Sequence, residues 1–598
     1  MITDEDIRHS GATDIPTILR WIPGLDVMQM SGATFNVSAR GDNQPFANKM
    51  QVLVDGRSIF NDVQSVVFWK AIPVTLPEIK RIEVLKGPAS SIYGFNAFDG
   101  IITKSPDEMK GTTVQFGGGE LGTISSAAVH ANKIGDFGYR LSIGRDQNQQ
   151  WRNRNALAFR SNKFHVQTEY ALPSDAKLLL SGGLVDVNRY DGPIGEIVSP
   201  SGRPSLGFAN ASYERKNFFL SGWWSSFQDT STPTTNPLLA NFIRVTDREG
   251  NPVQSFTSNT YNLEAQHALE FGASHRLTYG IHYRHISLSS NATDAFSRQD
   301  RLGLYLEGEW RATQSLTLVA GTRYNLSTFI NPTVSPRVAL IYQVSPDHTF
   351  RVSGSVAYRP PTLFETHQDL RAITTPPGIT TVVQGSRMLE PEQMISYEAG
   401  YQGWFFKHRL RLRADLFFNH ISDLITNRNS SLTTALFVND RGQADIYGGE
   451  AGVEFIATSW LTGFANYSYQ EIGQSFLGTA RRGAPRFKYN VGLRGDWENG
   501  WSGEAVLHHV GAATYPVAAT FTDLAPLGVI APDPRVGSYN LVNLRGAYKF
   551  WQEKAEAGYL RDAEVALTAF SALNDKHKEH PLGDQIGSRV MGWVTVRY

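Results

Sequence analysis

From about Gly111 to Tyr598 the chain alternates apolar and polar residues with a period of two. That is the mark of extended strands with one greasy and one polar face. In the stretch beginning at Arg409, the residues Leu410, Leu412, Ala414, Leu416 and Phe418 share one face, and Arg409, Arg411, Arg413, Asp415 and Asn419 share the other. Leu316, Leu318, Ala320 and Tyr324 repeat the pattern, as do Val590, Val594, Val596 and Tyr598 at the end of the chain. A single strand of this kind has two readings. In a soluble sandwich the leucines face a core and the arginines face water, whereas in a membrane barrel the leucines face lipid and the arginines a wet lumen.

The connections separate the two. About 22 segments fit the strand template, and strands of roughly ten residues match a tilted bilayer crossing. Half the connections are short and turn-like, at 132–137, 173–175, 311–314, 344–348 and 497–500; they alternate with long ones at 188–204, 228–256, 359–393, 421–443 and 512–537. Short turns at one end and long loops at the other are the arrangement of an outer-membrane barrel. A soluble repeat protein would show a fixed sequence period, and none is visible.

Composition narrows the picture further. Lys+Arg and Asp+Glu are balanced at 56 each, without the excess positive charge that a nucleic-acid partner calls for. The absence of cysteine excludes disulfides and thiolate metal sites. No apolar run approaches the roughly 18 residues of a membrane-spanning helix. No charged, apolar leader stands at Met1-Ile2-Thr3, so a signal peptide is either absent or already removed.

Residues 1 to about 107 follow another pattern. Asp14 to Ile22 reads as an amphipathic helix with an acidic N-cap and a proline in its first turn, stopped by Pro23-Gly24. Short apolar strands follow at 50–56 and 82–88, and a Gly- and Ser-rich stretch runs from Leu76 to Gly100. This is a small α+β domain. A barrel of so many strands has a lumen too wide for its own side chains, and such barrels are plugged.

Several motifs carry a resemblance. Asp14-Ile15-Pro16-Thr17-Ile18-Leu19 with Ile22-Pro23-Gly24-Leu25 comes first, followed by Asn36 to Gly41, Val52 to Arg57, Ile79 to Pro88, and Tyr93-Gly94 through Lys104. The second part adds Ala357 to Glu365, Leu389-Glu390-Pro391-Glu392 with Tyr397 to Gly400, and the aromatic terminus Tyr598. Over essentially its whole length the chain resembles the TonB-dependent outer-membrane receptors. The resemblance implies an all-β membrane protein with an α+β plug: residues 1–107 as plug, and 108–598 as a 22-stranded antiparallel transmembrane β-barrel. It also implies a cell outer membrane of Gram-negative type, energy delivered by TonB with its inner-membrane motor complex, and import of a scarce metal chelate. A ferric siderophore comes first among such ligands, with cobalamin or haem behind it, and a passive, non-energised plugged barrel or porin is the remaining alternative. Two departures stand out. Met1 to Ile7 already reads as the first plug strand, where the family carries a TonB box further upstream, and the last plug strand at 98–104 is shortened in a way that could shift the plug's register.

In the family two plug arginines are locked against two barrel glutamates, and the matching positions are Arg40, Arg81, Glu398 and Glu450. Alternation agrees for the acids. Ile395, Tyr397, Ala399 and Tyr401 form the outward set around Glu398, and Tyr447, Ala451, Val453 and Phe455 the outward set around Glu450. Glu454 shares the inward face and is an alternative to Glu450. Tyr358 and Arg359 open a long external connection and are candidates for ligand binding, although the prolines after them serve equally to end a strand. His367 is placed like a haem-ligand histidine of haem-uptake members, against the ordinary reading of a lone loop histidine as solvated. His577-Lys578-Glu579-His580 lacks the helical context of a zinc motif and reads as a polar loop. Trp223-Trp224 and Trp404-Phe405-Phe406 fit an interfacial girdle. No catalytic constellation, resident metal or cofactor can be nominated, so the reading is a transporter and not an enzyme. Loops 228–256 and 512–537 are rich in Thr, Pro and Ala, which favours a larger, less charged ligand.

Overall fold

The computed structural model describes the chain except residues 44–47, 98, 105–110, 150–158, 192–197, 230–231, 236–238, 254–255, 295–296, 377, 432 and 554–560. From Gly111 onward it is a closed barrel of 22 antiparallel strands. The first, Gly111–Gly119, pairs with the last, Arg589–Arg597, in the register Met591↔Gly119 to Arg597↔Thr113. Tyr598 and Thr112 exchange backbone hydrogen bonds of 2.8 and 2.6 Å across this seam. Closure satisfies every ladder and leaves no edge, the condition for crossing lipid with strands. Two short strands, Val198–Gly202 and Thr232–Thr235, extend the rim.

Exposure along the strands is inverted relative to a soluble protein. Leu184, Leu304, Val352, Leu416 and Leu567 are exposed, whereas Arg301, Arg323, Glu398 and Asn419 are buried. Apolar residues therefore face lipid and charged ones face a lumen. Trp223 and Trp224 divide by the same alternation and do not both join a girdle. Trp224 lies on the outer face, while Trp223 is buried inside, 5.3 Å from the Arg284 guanidinium.

Turns at one end are short, as between Ile134 and Phe137, Ser345 and His348, or Asp496 and Trp501, and long connections gather at the other end. The segregation is one-sided. The outer end also has tight turns, such as the one between Ser327 and Ile330. Three long connections share a five-stranded sheet in the order Ile243–Thr246, Asp369–Thr374, Ile379–Gln384, Thr434–Asn439, Ile425–Ser431.

The plug fills the lumen with a five-stranded sheet in the order Ile2–Thr3, Arg81–Leu85, Asp99–Lys104, Met50–Val54, Arg57–Ser58. Beside it stand the hairpin Leu25–Gln29/Phe35–Ala39 and three short helices. Ile18, Leu19, Leu25, Val37, Val52, Ile79 and Ile82 form its core. The strand expected over Met1–Ile7 stops at Thr3, because Thr3 and Asp6 form a capping box that starts a helix at Asp4. Asp14 caps the next helix by accepting from the Thr17 N–H at 2.9 Å, and that helix ends at Leu19, short of Ile22. The last plug strand keeps its register on both sides, Met50↔Asp99 to Val54↔Thr103 and Arg81↔Lys104 to Leu85↔Gly100. Phe98 and the plug–barrel boundary at 107/108 lie outside the described residues.

Candidate functional site

Three of the four residues nominated for the plug–barrel lock lie together. Arg40 follows the strand Phe35–Ala39 in a left-handed conformation (φ 51°), and its N–H donates to the Gly24 carbonyl at 2.8 Å. This turn aims the side chain at the barrel wall. Arg40 Nε donates to Glu450 Oε1 at 3.0 Å and Nη1 to Glu398 Oε1 at 2.5 Å, while the guanidinium lies 4.5 Å from the Phe417 ring. Arg351 Nη2, on the barrel, donates to the other Glu398 oxygen at 3.2 Å. Buried charges persist only when paired in this way.

Arg81 does not take part, which corrects the expectation. It begins the strand Arg81–Leu85, and residues two apart on a strand share a face. Arg81 therefore pairs with Glu83 at 2.7 Å in a half-exposed position. The second plug cation of the lock is Lys86, whose ammonium donates to Glu450 Oε2 and to the Pro23 carbonyl at 3.3 Å. Burial, with Arg40 beside it, pushes Lys86 down to about 7. Glu454, the alternative to Glu450, pairs instead with Arg411 and Arg413.

Two glycines allow this approach. Gly24 (φ +78°) and Gly87 (φ +82°) are left-handed, and a Cβ on them would collide with the carboxylates of Glu450 and Glu398, respectively. Toward the short-turn end the lock faces a cavity of about 760 Å³ lined by Pro23, Lys86, Arg351, Arg413, Glu454 and Arg494, among others.

At the opposite end a loop grips the plug. Arg20 donates through both Nη atoms to Glu579 at 2.8 Å, and the Gln29 N–H donates to the same carboxylate at 2.5 Å. Burial alone would raise Glu579, but Arg20 and His577 hold it down at about 2. The His577 ring stacks on Tyr539 with centroids 4.0 Å apart, and burial pushes His580 down to about 3. His577-Lys578-Glu579-His580 is therefore not the solvated polar loop expected from its composition. Above it Met30, just beyond the hairpin strand Leu25–Gln29, packs with Leu239, Ile243, Phe521, Leu524 and Leu582 from three long connections.

Further ion pairs seat the plug around its girth. Asp62 accepts from Arg284 at 3.0 Å and Arg301 at 2.6 Å, Asp42 pairs with Arg482 at 2.6 Å, and Asp26 with Lys488.

The ligand candidates fall elsewhere. Tyr358 lies on the outer face of its strand, and its hydroxyl accepts from Gln393 Nε2 at 2.8 Å. Arg359 points inward and is fully buried between Glu365, at 3.0 Å through both Nη atoms, and Glu392 at 2.6 Å. Lys49 shares Glu392 at 2.9 Å. His367 is buried at the end of the helix Leu363–His367, its Nδ1 2.8 Å from Thr366 Oγ1 and its ring edge-on to Phe329; burial lowers its pKa. Arg359 and His367 are thus buried and Tyr358 faces outward. Alternation already separated Tyr358 from Arg359, whereas nothing in the sequence marks Lys86, Arg20, Asp62 or Glu579 as partners.

The plug and barrel geometry agrees with what known proteins show. The TonB-dependent receptor plug domain model matches residues 1–101, and the model of the TonB-dependent receptor-like β-barrel matches 111–561. The chain belongs to the TonB-dependent receptors. Among curated relatives of this receptor, the iron-regulated outer membrane virulence protein of Vibrio cholerae is 22% identical over 96% of this chain and 90% of its own length. The vitamin B12 transporter BtuB of the same species is 23% identical over 86% of this chain and 82% of its own. Among solved structures, the FrpB iron transporter from Neisseria meningitidis superposes with a TM-score of 0.79 at 16% identity, covering 100% of this chain and 98% of the other. The siderophore receptor PirA from Acinetobacter baumannii gives 0.77 at 14% identity, covering 100% and 98%. The receptor is an outer-membrane β-barrel protein of a family of transporters.

Proposed function

We propose that this receptor imports a metal chelate, with a ferric siderophore as its ligand, using energy supplied through TonB and its inner-membrane motor. The observation that carries the reading is a plug fixed by buried ion pairs at both ends. Such a lumen argues against a passive pore and favours work supplied from outside the barrel. Glu398 and Glu450 serve as the barrel half of the lock, and Arg40 with Lys86 as the plug half. An iron-regulated protein among the relatives, and an iron transporter and a siderophore receptor among the similar structures, support iron as the cargo.

Cobalamin is the second reading, favoured by two observations: the likeness to BtuB and the apolar closure around Met30. A host lacking its own siderophore and cobalamin receptors, supplied with this receptor in its outer membrane, tests both. Growth on ferric siderophores under iron limitation, lost when TonB is deleted, is the expected result. Growth rescue by cyanocobalamin alone would replace iron with cobalamin, and growth independent of TonB would overturn energised import.

A further inference from the structure

The plug is seated by paired charges, and among its described residues the buried Arg57 departs from that rule. Arg57, just past the Gly56 turn, is 2% exposed, yet neither Nη1 nor Nη2 has a hydrogen-bond partner. Arg323 is a useful contrast. It too has no carboxylate in direct contact, but it donates to Asn325 Oδ1 at 2.8 Å and to the Ile92 carbonyl at 3.0 Å. Asp55 acts on Arg57 only at longer range and lies 3.8 Å from Arg140. Burial accordingly pushes the Arg57 guanidinium down to about 9, the sign of a missing counter-charge.

One face of the guanidinium is covered by the Phe208 ring at 3.7 Å. Arg57 also lines a cavity of about 30 Å³ in the seam between the plug and three barrel strands. That is room for one water or one small ion. The other polar liners are Ser58, Asn61, Asp62, Ser225, Ser258 and Thr260. Asn61 Oδ1 is occupied by the N–H groups of Val63 and Gln64, and the Asp62 carboxylate is neutralised by both Arg284 and Arg301. Ser58 Oγ accepts from Gln51 Nε2 at 2.9 Å, which leaves its O–H to donate. The residues around the space thus offer an unpaired positive charge and hydroxyl donors, with no carboxylate left over among them. A water would meet the hydrogen bonds but not the charge, and a buried unpaired charge is far more costly than an unpaired neutral group.

We propose that this seam holds one small monovalent anion of halide size, bound by the Arg57 guanidinium and the surrounding hydroxyls. The anion completes the charge pairing that seats the plug on this arc of the barrel.

Crystals of the full receptor grown with bromide in place of chloride test the site directly. An anomalous difference peak within hydrogen-bonding reach of Arg57 Nη1 or Nη2 is expected. In solution the melting midpoint should be higher in sodium chloride than in sodium gluconate at equal ionic strength, by roughly 2 °C. Arg57→Gln should abolish both the peak and the chloride response, and Thr260→Val should weaken the response. No bromide peak in the wild type would overturn the proposal. A peak without any chloride-dependent melting would mean an adventitious ion only, and would overturn it equally. If Arg57→Gln fails to fold, the wild-type map and the wild-type chloride response still decide.

Discussion

The plug is held at its two ends by the same chemistry in different settings. At the lock, strand-borne Glu398 and Glu450 meet Arg40, Lys86 and Arg351, and the cluster borders a cavity of about 760 Å³. At the outer clamp, loop-borne Glu579 meets Arg20, with the Gln29 N–H and His577 beside it, roofed by the apolar packing around Met30. Strands in a closed barrel are the stiffest part of the molecule, and loops the least constrained. The two sets of pairs are similarly buried and differ in the element that carries the carboxylate, so the loop-borne pair is expected to release more readily. On the proposed import cycle, an event at the mouth would reach the clamp through its loop, and the lock would yield to a force on the plug itself.

The largest break in this comparison comes from Arg40→Ala. It leaves two barrel carboxylates short of a counter-ion and should destabilise the seated plug by about 3–5 kcal/mol, read as a lowered urea midpoint for plug release. Glu579→Gln should cost about 2–3 kcal/mol, with a different readout. Because the chain has no cysteine, Lys578→Cys provides a background-free label, and it should react faster in the Glu579→Gln background. Combining Arg40→Ala with Glu579→Gln should give additive losses; a coupling well above ~0.5 kcal/mol would merge the two regions into one.

Acid should loosen the clamp first. His580 is held neutral, with its pKa down from 6.5 to about 3, so its contribution is complete above pH 6.5 and fades as pH falls toward 3. Glu579 is held ionised, down from 4.5 to about 2, so the pair with Arg20 is complete above pH 4.5 and is lost only as pH falls toward 2. The labelling rate of Lys578→Cys, taken relative to the unfolded chain at the same pH so that the falling thiolate fraction cancels, should therefore rise between pH 6 and 4, before any loss of the ion pair. The smallest effect is expected from Arg81→Ala. Its pair with Glu83 is half-exposed, so the urea midpoint should move by less than about 1 kcal/mol. A loss as large as that of Arg40→Ala would return Arg81 to the lock.

Alternation made the strands, the inward aim of Glu398 and Glu450, and the segregated turns legible in the sequence, because a period of two assigns every strand residue to lipid or lumen. It also held the answer for Tyr358, which shares the outward face with Val352 and Phe350, but the proline motif drew attention to both residues alike. Arg81 differs for a related reason: motif position puts a cation near the barrel wall, while strand geometry gives that place to Lys86. Glu579 was illegible because a polar loop sequence does not say whether the loop folds outward to water or inward onto a plug. Its partner Arg20 lies 559 residues away.

Asp62 has a bearing on how the molecule is made. Arg284 and Arg301 face each other directly across neighbouring barrel strands, an arrangement that repels in an empty barrel. The plug carboxylate between them turns that repulsion into a bridge. The wall is therefore expected to close more readily around a plug already present, making this domain an assembly partner of the cylinder as well as its stopper. Asp62→Ala in the full chain should slow the appearance of the heat-resistant folded form on gels, and an unchanged rate would confine the plug's influence to the finished barrel.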